Sequence, residues 1–382
     1  MIRSYYLNDP IDVFFYFTCI NLKKVIFMLL APILGLHLSY CSFSKRVFFS
    51  FPFSSQMEIL KVRCYNQTTV SEFLLVGFSM LNGAGSYIFI LICIIYMLSV
   101  TANTFIIIIV KNEPRLHKPM YFFIGGLSFL EIWYPTVTVP RLLWALLTKE
   151  VSISQAGCLT QFFFHFSFGA TENFLLTVMA IDRFVAICNP LRYLLIMNQS
   201  TCTTLLLGSW ICGFIVVVVP CLQISKLSFS LENEIDHYYC DFAPLIKLSC
   251  TETSHIQKMV FVSSCFVILG CFLAIIVSYT CIIQATMNFP TSFSRQRTFS
   301  TCASHLIVVI VFYATTIFMF VRPTTGDFIH LNKIISVIPS IVTPLLNPII
   351  YTLRNNEVKE AIKKNFQNLT IKTQTNFTFL LK

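Results

Sequence analysis

The chain has 382 residues, of which 56% are hydrophobic and 39 are phenylalanine, and its mean hydropathy is +0.74. A soluble protein is about 45–50% apolar, so this composition predicts a membrane protein. The formal charge of +10 does not indicate a nucleic-acid partner, because the basic residues form no stripe with stacking aromatic residues.

The segment before Met57 has two interpretations. Lys23 and Lys24 precede the apolar run Val25–Tyr40, which resembles a signal-type segment but is short for a membrane span. Alternatively, translation begins at Met57, and residues 1–56 are upstream sequence without a role. Residues 57–85 then form a predicted extracellular N-terminus, and the residues alone leave both interpretations open.

Seven apolar runs are long enough to cross about 30 Å of hydrocarbon, which takes roughly 20 helical residues. Runs of this length without period-two alternation predict helices rather than barrel strands. We therefore predict an all-α membrane protein with a seven-transmembrane helix bundle at residues 86–354. The predicted spans are Ser86–Val110, Pro119–Pro140, Cys158–Ile181, Cys202–Leu222, Met259–Met287, Phe299–Val321 and Ile334–Leu353.

Lysine and arginine residues set the predicted orientation. Most loop cations lie in Lys111–Lys118, Arg183–Arg192, Arg295–Arg297 and the tail after Leu353, whereas the loop Gln223–Lys258 is acidic. This bias predicts a multi-pass plasma-membrane protein with an extracellular N-terminus and a cytoplasmic C-terminus.

Sequons and the tail agree with this orientation. The sequon at Asn66 lies on the predicted outer side and is a candidate glycosylation site, whereas those at Asn198, Asn368 and Asn376 fall inside. In the cytoplasmic tail, residues 355–382, the stretch Asn356–Asn365 has the pattern of a short amphipathic helix on the lipid surface.

An acid-base pair lies near the inner end of the third span, where residues 179–193 read MAIDRFVAICNPLRY. From Cys158 to Arg183 a helix rises roughly 37 Å, which places Asp182 and Arg183 at the inner membrane surface. There the charges can be hydrated or can meet a partner. By spacing alone, a plain interfacial anchor explains the pair equally well.

Six short motifs occur in chain order: Leu116–Phe123, Leu127–Glu131, Met179–Tyr193, Ser278–Tyr279, Phe299–Leu306 and Pro344–Asn355. Together they resemble the motifs of odorant (olfactory) receptors, within the rhodopsin-like G-protein-coupled receptor superfamily. The resemblance extends from about Asn66 to Lys364. The family reads MAYDRYVAIC where this chain has Ile181 and Phe184 in place of the tyrosines, and neither change removes the charge pair.

The resemblance implies a receptor that binds small, mostly apolar odorants within the bundle. It also implies activation of a heterotrimeric G protein of the stimulatory or olfactory type, which raises cAMP. In the implied switch, Arg183 pairs with Asp182 at rest and is freed for the G protein on activation. The other switch residues are Tyr279, His305, Asn347, Pro348 and Tyr351, with Pro348 permitting a kink. Another rhodopsin-like receptor for a small ligand is the alternative.

The predicted ligand site lies on one face of the third span, nearer the outer side. Phe162, His165, Phe166 and Gly169 recur at helical spacing, and Gly169 and Ala170 leave space. The resemblance adds Ser263, Val267, Thr316, Ile317 and Phe320 from the fifth and sixth spans. Such an aromatic stripe is also compatible with ordinary helix packing.

Two acids lie deep in the predicted membrane and need partners. Glu131 and Glu172, joined by Asn103, resemble a site for a sodium ion or a proton. Alternatively, both acids are protonated and merely hydrogen-bonded. No other cofactor or metal is expected.

The resemblance also implies a disulfide between Cys158 and Cys240 in the oxidising extracellular environment. The family carries two further loop cysteines, but Ser230 stands at the first position, so Cys250 is expected to lack its usual mate. Cys221 could replace that mate only if its Cα lay within about 7 Å of the Cα of Cys250.

Other functional classes are less consistent with the sequence. A transporter would show internal repeats or broken helices in matching halves, and no repeat is present. An enzyme would need a nucleophile with a base or a metal cluster. His237 and Asp241 lie four residues apart in an outer loop without a convergent partner, so we do not expect an enzyme.

Overall fold

The computed structural model describes residues 71–78, 85–230, 232–289, 291–321, 333–354 and 357–364. Long helices dominate these residues. They are α1 (Gly85–Asn112), α2 (Pro119–Thr136), α3 (Val139–Thr148), α4 (Gln155–Cys188), α5 (Tyr193–Ile196), α6 (Gln199–Ile224), α7 (Phe242–Lys247), α8 (Ser254–Met287), α9 (Ser292–Val321) and α10 (Thr343–Arg354). A π-helical turn at Ile338–Val342 precedes α10, and residues 357–364 are also helical.

Each of the first six predicted spans corresponds to helical residues that mostly extend beyond the apolar run, whereas the seventh comprises a short helical stretch, the π-helical turn and α10. Local side chains explain several starts. Ser154 accepts a hydrogen bond from the Gly157 amide at 3.1 Å and caps α4, while Asn198 accepts one from the Thr201 amide at 2.9 Å and caps α6. The second span continues past Pro140 as α3, after a break at Val137–Thr138 that follows Pro135.

The centre of the bundle is α4. Within the described residues, six helices are long and apolar enough to cross a membrane by length and composition, and α4 is not among them despite its 34 residues. It packs against α2, α6, α8 and α9, so protein rather than lipid surrounds its polar side chains. Thr171, Asn173 and Thr177 are among the polar residues it buries. The central position therefore explains the lower hydropathy.

A small sheet covers the end of the bundle that bears Cys158, called here the disulfide end. Strand β1 (Glu72–Leu75) lies between β2 (Ser152–Ser154) and β3 (Glu234–Ile235), antiparallel to β2 and parallel to β3. Phe73 is fully buried beneath it. Three segments far apart in sequence thus meet above α4.

Candidate functional site

An aromatic cluster surrounds the part of α4 that the sequence nominates for ligand binding. The rings of Phe162 and Phe166 lie 4.6 Å apart between centroids, and His165 is buried beside them. Two residues that the sequence analysis missed complete the cluster. Tyr134 from α2 lies 5.0 Å from His165, and Tyr239 from the loop before α7 lies 4.2 Å from it.

The remaining nominated ligand residues lie in different surroundings. Gly169 faces Tyr134, and Val267 is buried in the core between helices. The Ser263 hydroxyl donates to the carbonyl of Val260, in its own helix, at 3.0 Å. Ala170, Thr316 and Ile317 are half-buried, and the side chain of Phe320 lies outside the described residues.

A shallow cleft lies elsewhere, at the disulfide end between β1 and α3. Its walls include Leu75, Gly77, Arg141, Leu142 and Tyr238. None of the nominated ligand residues lines this cleft, so it is a feature separate from the aromatic cluster.

The predicted disulfide between Cys158 and Cys240 is present, with a Cα–Cα distance of 5.5 Å. Gln161 supports it from α4, because its side-chain oxygen accepts the Cys240 amide at 3.0 Å and its nitrogen donates to the Val137 carbonyl at 3.1 Å. The disulfide draws Tyr239, the residue before Cys240, onto His165. Its position next to Cys240 is the sequence signal from which Tyr239 could have been predicted as a residue of the ligand site.

Cys250 lacks its usual mate, because Ser230 stands at that position, but Cys250 is nevertheless disulfide-bonded. Ser230 instead donates its hydroxyl to the Glu232 carbonyl at 3.1 Å. Cys221 is not the substitute, since it is a free thiol.

Lys333, where the last span begins, joins three segments at the disulfide end. Its ammonium donates to the Gly77 carbonyl at 3.0 Å and forms an ion pair with Asp236. Nearby, the hydroxyls of Tyr238 and Ser340 lie 2.6 Å apart. These contacts hold the loop before α7 and the segment after β1 against the last span.

The two membrane acids are buried, with exposures of 1% for Glu131 and 2% for Glu172, and they are near enough to interact electrostatically. The amide of Asn347 donates to Glu131. Asn103 does not join the acids as expected. Its nitrogen donates to the Pro344 carbonyl at 2.8 Å and the Ser99 carbonyl at 3.0 Å, because α1 packs directly on α10.

Asp182 and Arg183 lie inside α4 rather than at its end, because the helix continues to Cys188. Both are buried, which disfavours the first of the two alternatives, hydration of the charges, in this structure. The Tyr193 hydroxyl donates to Asp182 at 2.9 Å. Within the described part of the chain, no ion pair joins Asp182 to Arg183. Consecutive helical residues point about 100° apart, so the two side chains face different neighbours.

The aromatic residues nominated for the switch lie at the Arg183 end of the bundle. The Tyr279 hydroxyl and the His305 ring nitrogen Nδ1 lie 2.7 Å apart, and His305 Nε2 lies 3.1 Å from the Leu176 carbonyl. This chain links α8, α9 and α4. The Tyr351 hydroxyl is buried without a hydrogen-bond partner among the described residues. Pro348 lies within α10, while the irregular turn of this span is the π-helical one before it.

The short helix at residues 357–364 packs on the bundle instead of presenting its apolar face only to lipid, since Val358 is buried in the main core. Lys118 pairs with Glu357 at 2.7 Å, and Lys364 pairs with Glu113 at 2.9 Å. The hydrogen bond from Lys364 lowers the pKa of the Glu113 carboxyl. This contact therefore stabilises the fold above the unfolded-state pKa and is lost as pH falls through the lowered folded-state pKa.

His237 and Asp241, the pair considered for an enzyme, lie in the loop before α7. His237 is buried and stacks on Tyr238 with ring centroids 4.9 Å apart. No group of three or more His, Cys, Asp or Glu residues in the described ranges could hold a metal ion. The pair that the sequence offered for an enzyme is thus part of the loop packing.

Comparisons with known proteins identify the family. A family profile described as olfactory receptor matches residues 92–369. The chain is similar to human olfactory receptor 6X1, with 44% identity over 299 residues, covering 78% of this chain and 96% of that protein. It is similar to human olfactory receptor 6F1, with 45% identity over 302 residues, covering 79% and 98%. For rat olfactory receptor 226 the identity is 44% over 299 residues, covering 77% and 91%. The chain therefore belongs to the olfactory receptor family, and it is a seven-helix, G-protein-coupled odorant receptor rather than an enzyme.

Proposed function

We propose that small, mostly apolar odorants bind between α4, α8 and α9, next to the aromatic cluster of Phe162, His165 and Phe166. The strongest support for this position comes from His165. His165 Nδ1 is buried without a hydrogen-bond partner among the described residues. An unpaired polar atom within apolar walls is costly on its own and suits a small-molecule site, where a few polar groups orient the ligand.

We propose that the odorant-bound receptor activates a heterotrimeric G protein of the stimulatory or olfactory type. Arg183 is 8% exposed, so α9 must move away from α4 before a protein partner can contact it. The hydrogen bond from His305 to the Leu176 carbonyl resists that movement. When this bond breaks, the Tyr351 hydroxyl, which has no hydrogen-bond partner among the described residues, can form a new hydrogen bond with one of the released groups. An odorant that binds the open arrangement more tightly shifts the equilibrium towards it.

The test is Arg183→Ala in cells carrying a cAMP reporter, with an agonist selected from a panel of volatile odorants. The variant should reach the cell surface, because Arg183 lies far from the disulfide end, and should lose the agonist-evoked cAMP rise. Arg115→Ala, at an exposed arginine, is the matched control and should respond like the wild type. Normal signalling by Arg183→Ala would refute the role of Arg183. A cAMP rise in cells lacking stimulatory and olfactory α subunits would refute the proposed G-protein type.

We propose that the disulfide end faces the outside of the plasma membrane, with the N-terminus extracellular, the C-terminus cytoplasmic and the bundle surrounded by lipid. The disulfide supports this orientation, because disulfides form in oxidising compartments. The glycosylation site proposed at Asn66 lies outside the described residues. An epitope tag at the N-terminus should be stained on intact cells, and one at the C-terminus only after permeabilisation. The reverse staining pattern would overturn the orientation.

We propose that a sodium ion or a proton neutralises Glu131 and Glu172. Two buried, neighbouring carboxylates cannot both remain charged without a counter-charge. Asn347 donates to Glu131, and Asn103, whose nitrogen bonds Pro344 one helical turn before Asn347, has a buried side-chain oxygen without a hydrogen-bond partner among the described residues. Thermal stability of the purified receptor should depend on sodium chloride against choline chloride, or on pH, and Glu131→Gln should remove that dependence. Equal dependence in the variant would argue against this site.

A further inference from the structure

Cys250 lies at the disulfide end, in the loop between α6 and α8. Its amide donates to the Ser228 carbonyl at 2.7 Å, and the neighbouring residue Ser249 pairs with Phe229 in an antiparallel bridge. Because Cys250 is disulfide-bonded although Ser230 replaces the family's cysteine, its partner must come from another part of the chain.

None of the other described cysteines is that partner. Cys158 and Cys240 are bonded to each other. Nine others are free thiols: Cys93, Cys188, Cys202, Cys212, Cys221, Cys265, Cys271, Cys281 and Cys302. The chain has 15 cysteines, and those that remain are Cys19, Cys41 and Cys64, all of which precede Ser71.

Strand β1 shows where the chain before Ser71 reaches the bundle. The rings of Phe73 and Phe229 meet edge to face with centroids 5.0 Å apart. The side-chain nitrogen of Asn233 also donates to the Glu72 carbonyl at 2.8 Å. Since Phe229 pairs with Ser249, β1 enters the sheet next to the backbone that carries Cys250.

Chain length selects among the three candidates. Cys64 lies seven residues before Ser71. Seven residues of extended chain span at most about 25 Å. Counted from Ser71, where β1 fixes the chain, Cys41 and Cys19 would close loops of 30 and 52 residues, and the conformational entropy lost on loop closure grows with loop length. Cys64 itself lies outside the described residues.

We propose that Cys64 and Cys250 form a disulfide bond that fastens the segment before β1 to the loop between α6 and α8. The two thiols lose two protons and two electrons to the disulfide of an oxidoreductase in the secretory pathway, which leaves as a dithiol. The bond replaces the loop-internal bridge of the family. It makes the N-terminal segment a covalently attached part of the cover over α4.

Peptide mapping of the full-length receptor under non-reducing conditions tests the pairing directly. After removal of N-linked glycans, cleavage after Lys, Arg and Glu releases residues 64–72 (CYNQTTVSE) and residues 248–252 (LSCTE) as separate peptides. Mass spectrometry should find them joined before reduction and separate afterwards. Joining of residues 248–252 to the peptide of Cys41 or Cys19, or a Cys250 that is alkylated without reduction, would overturn the proposal.

Cysteine variants test whether this bond stabilises the receptor. Cys64→Ser and Cys250→Ser should each lower the thermal midpoint of the purified receptor by about 5 °C or more. The double variant should fall no further than either single one, because all three lack the same bond. Cys41→Ser is the matched control and should match the wild type. A drop for Cys250→Ser without one for Cys64→Ser, or an equal drop for Cys41→Ser, would contradict the pairing.

Discussion

Gly169 is one of the predicted ligand residues, and its close neighbour Tyr134 explains why a glycine stands at this position. A Cβ built at this position would lie 3.4 Å from the hydroxyl oxygen of Tyr134 and 3.9 Å from its Cζ. Tyr134 in turn lies against His165. A larger side chain at Gly169 would therefore displace the ring that supports the proposed polar contact of the ligand.

Gly169→Leu should raise the half-maximal concentration of every agonist by at least about tenfold, since one methylene in an apolar pocket is worth about 1–3 kcal/mol. Dose-response curves at matched surface expression measure the effect. Gly270→Leu is the control, because nothing lies within 4 Å of a Cβ built there. Unchanged curves for Gly169→Leu, or equal shifts for both variants, would place the ligand elsewhere.

Among the described glycines, Gly213 has the tightest surroundings, at the contact between α6 and α4. A Cβ built there would lie 2.1 Å from the Thr171 hydroxyl oxygen, 2.7 Å from the Thr171 amide nitrogen and 2.9 Å from the Ser167 carbonyl oxygen. The last two atoms belong to the backbone and cannot rotate away. Small residues at helix contacts allow this proximity in membrane proteins, so Gly213 sets the distance between the two helices.

Gly213→Ala should lower the thermal midpoint and the surface expression of the receptor, because overpacking a tight contact costs about 1–3 kcal/mol. Gly208→Ala, in the same helix with nothing within 4 Å of its Cβ, should leave both unchanged or raise them, since alanine favours helix more than glycine does. A thermal-shift assay on the two purified variants compares them. Equal midpoints would mean that α6 moves away from α4 without cost.

The helices were largely predictable from the sequence, because each apolar run had to satisfy its backbone in lipid. The end of α4 was not predictable from hydropathy. The helix continues from Ile181 to Cys188 with Asp182 and Arg183 buried, since neighbouring helices rather than water surround them.

Partners within the candidate site were the least predictable feature. Asn103 donates to Pro344, which lies 241 residues away, and Tyr239 reaches His165 only because a disulfide holds its loop. Such contacts depend on how helices pack, which the periodicity of a single helix does not encode. The resemblance supplied the residue identities of the switch, and the structure supplied their contacts.

The sheet and loops that cover α4 are assembled from distant parts of the chain. Strand β1 lies between strands from two loops, and Lys333 connects the following Gly77 to Asp236 and the last span. Burying Phe73 completely contributes about 1.5–3 kcal/mol. The receptor bundle thus depends on residues that precede α1.

A chain that begins at Met57 should reach the cell surface and signal like the full chain, whereas one that begins at Met80 should do neither. The first retains Cys64, the Asn66 sequon, β1 and all of the family match from residue 92 onward. The second lacks β1, so it exposes the edges of β2 and β3 and the apolar surface that Phe73 covers. Surface labelling and the cAMP response to one odorant agonist measure both. If the Met57 chain fails to reach the surface and a foreign signal peptide restores it, Val25–Tyr40 is a targeting segment and residues 1–56 have a role. If the Met80 chain signals normally, the sheet over α4 is dispensable.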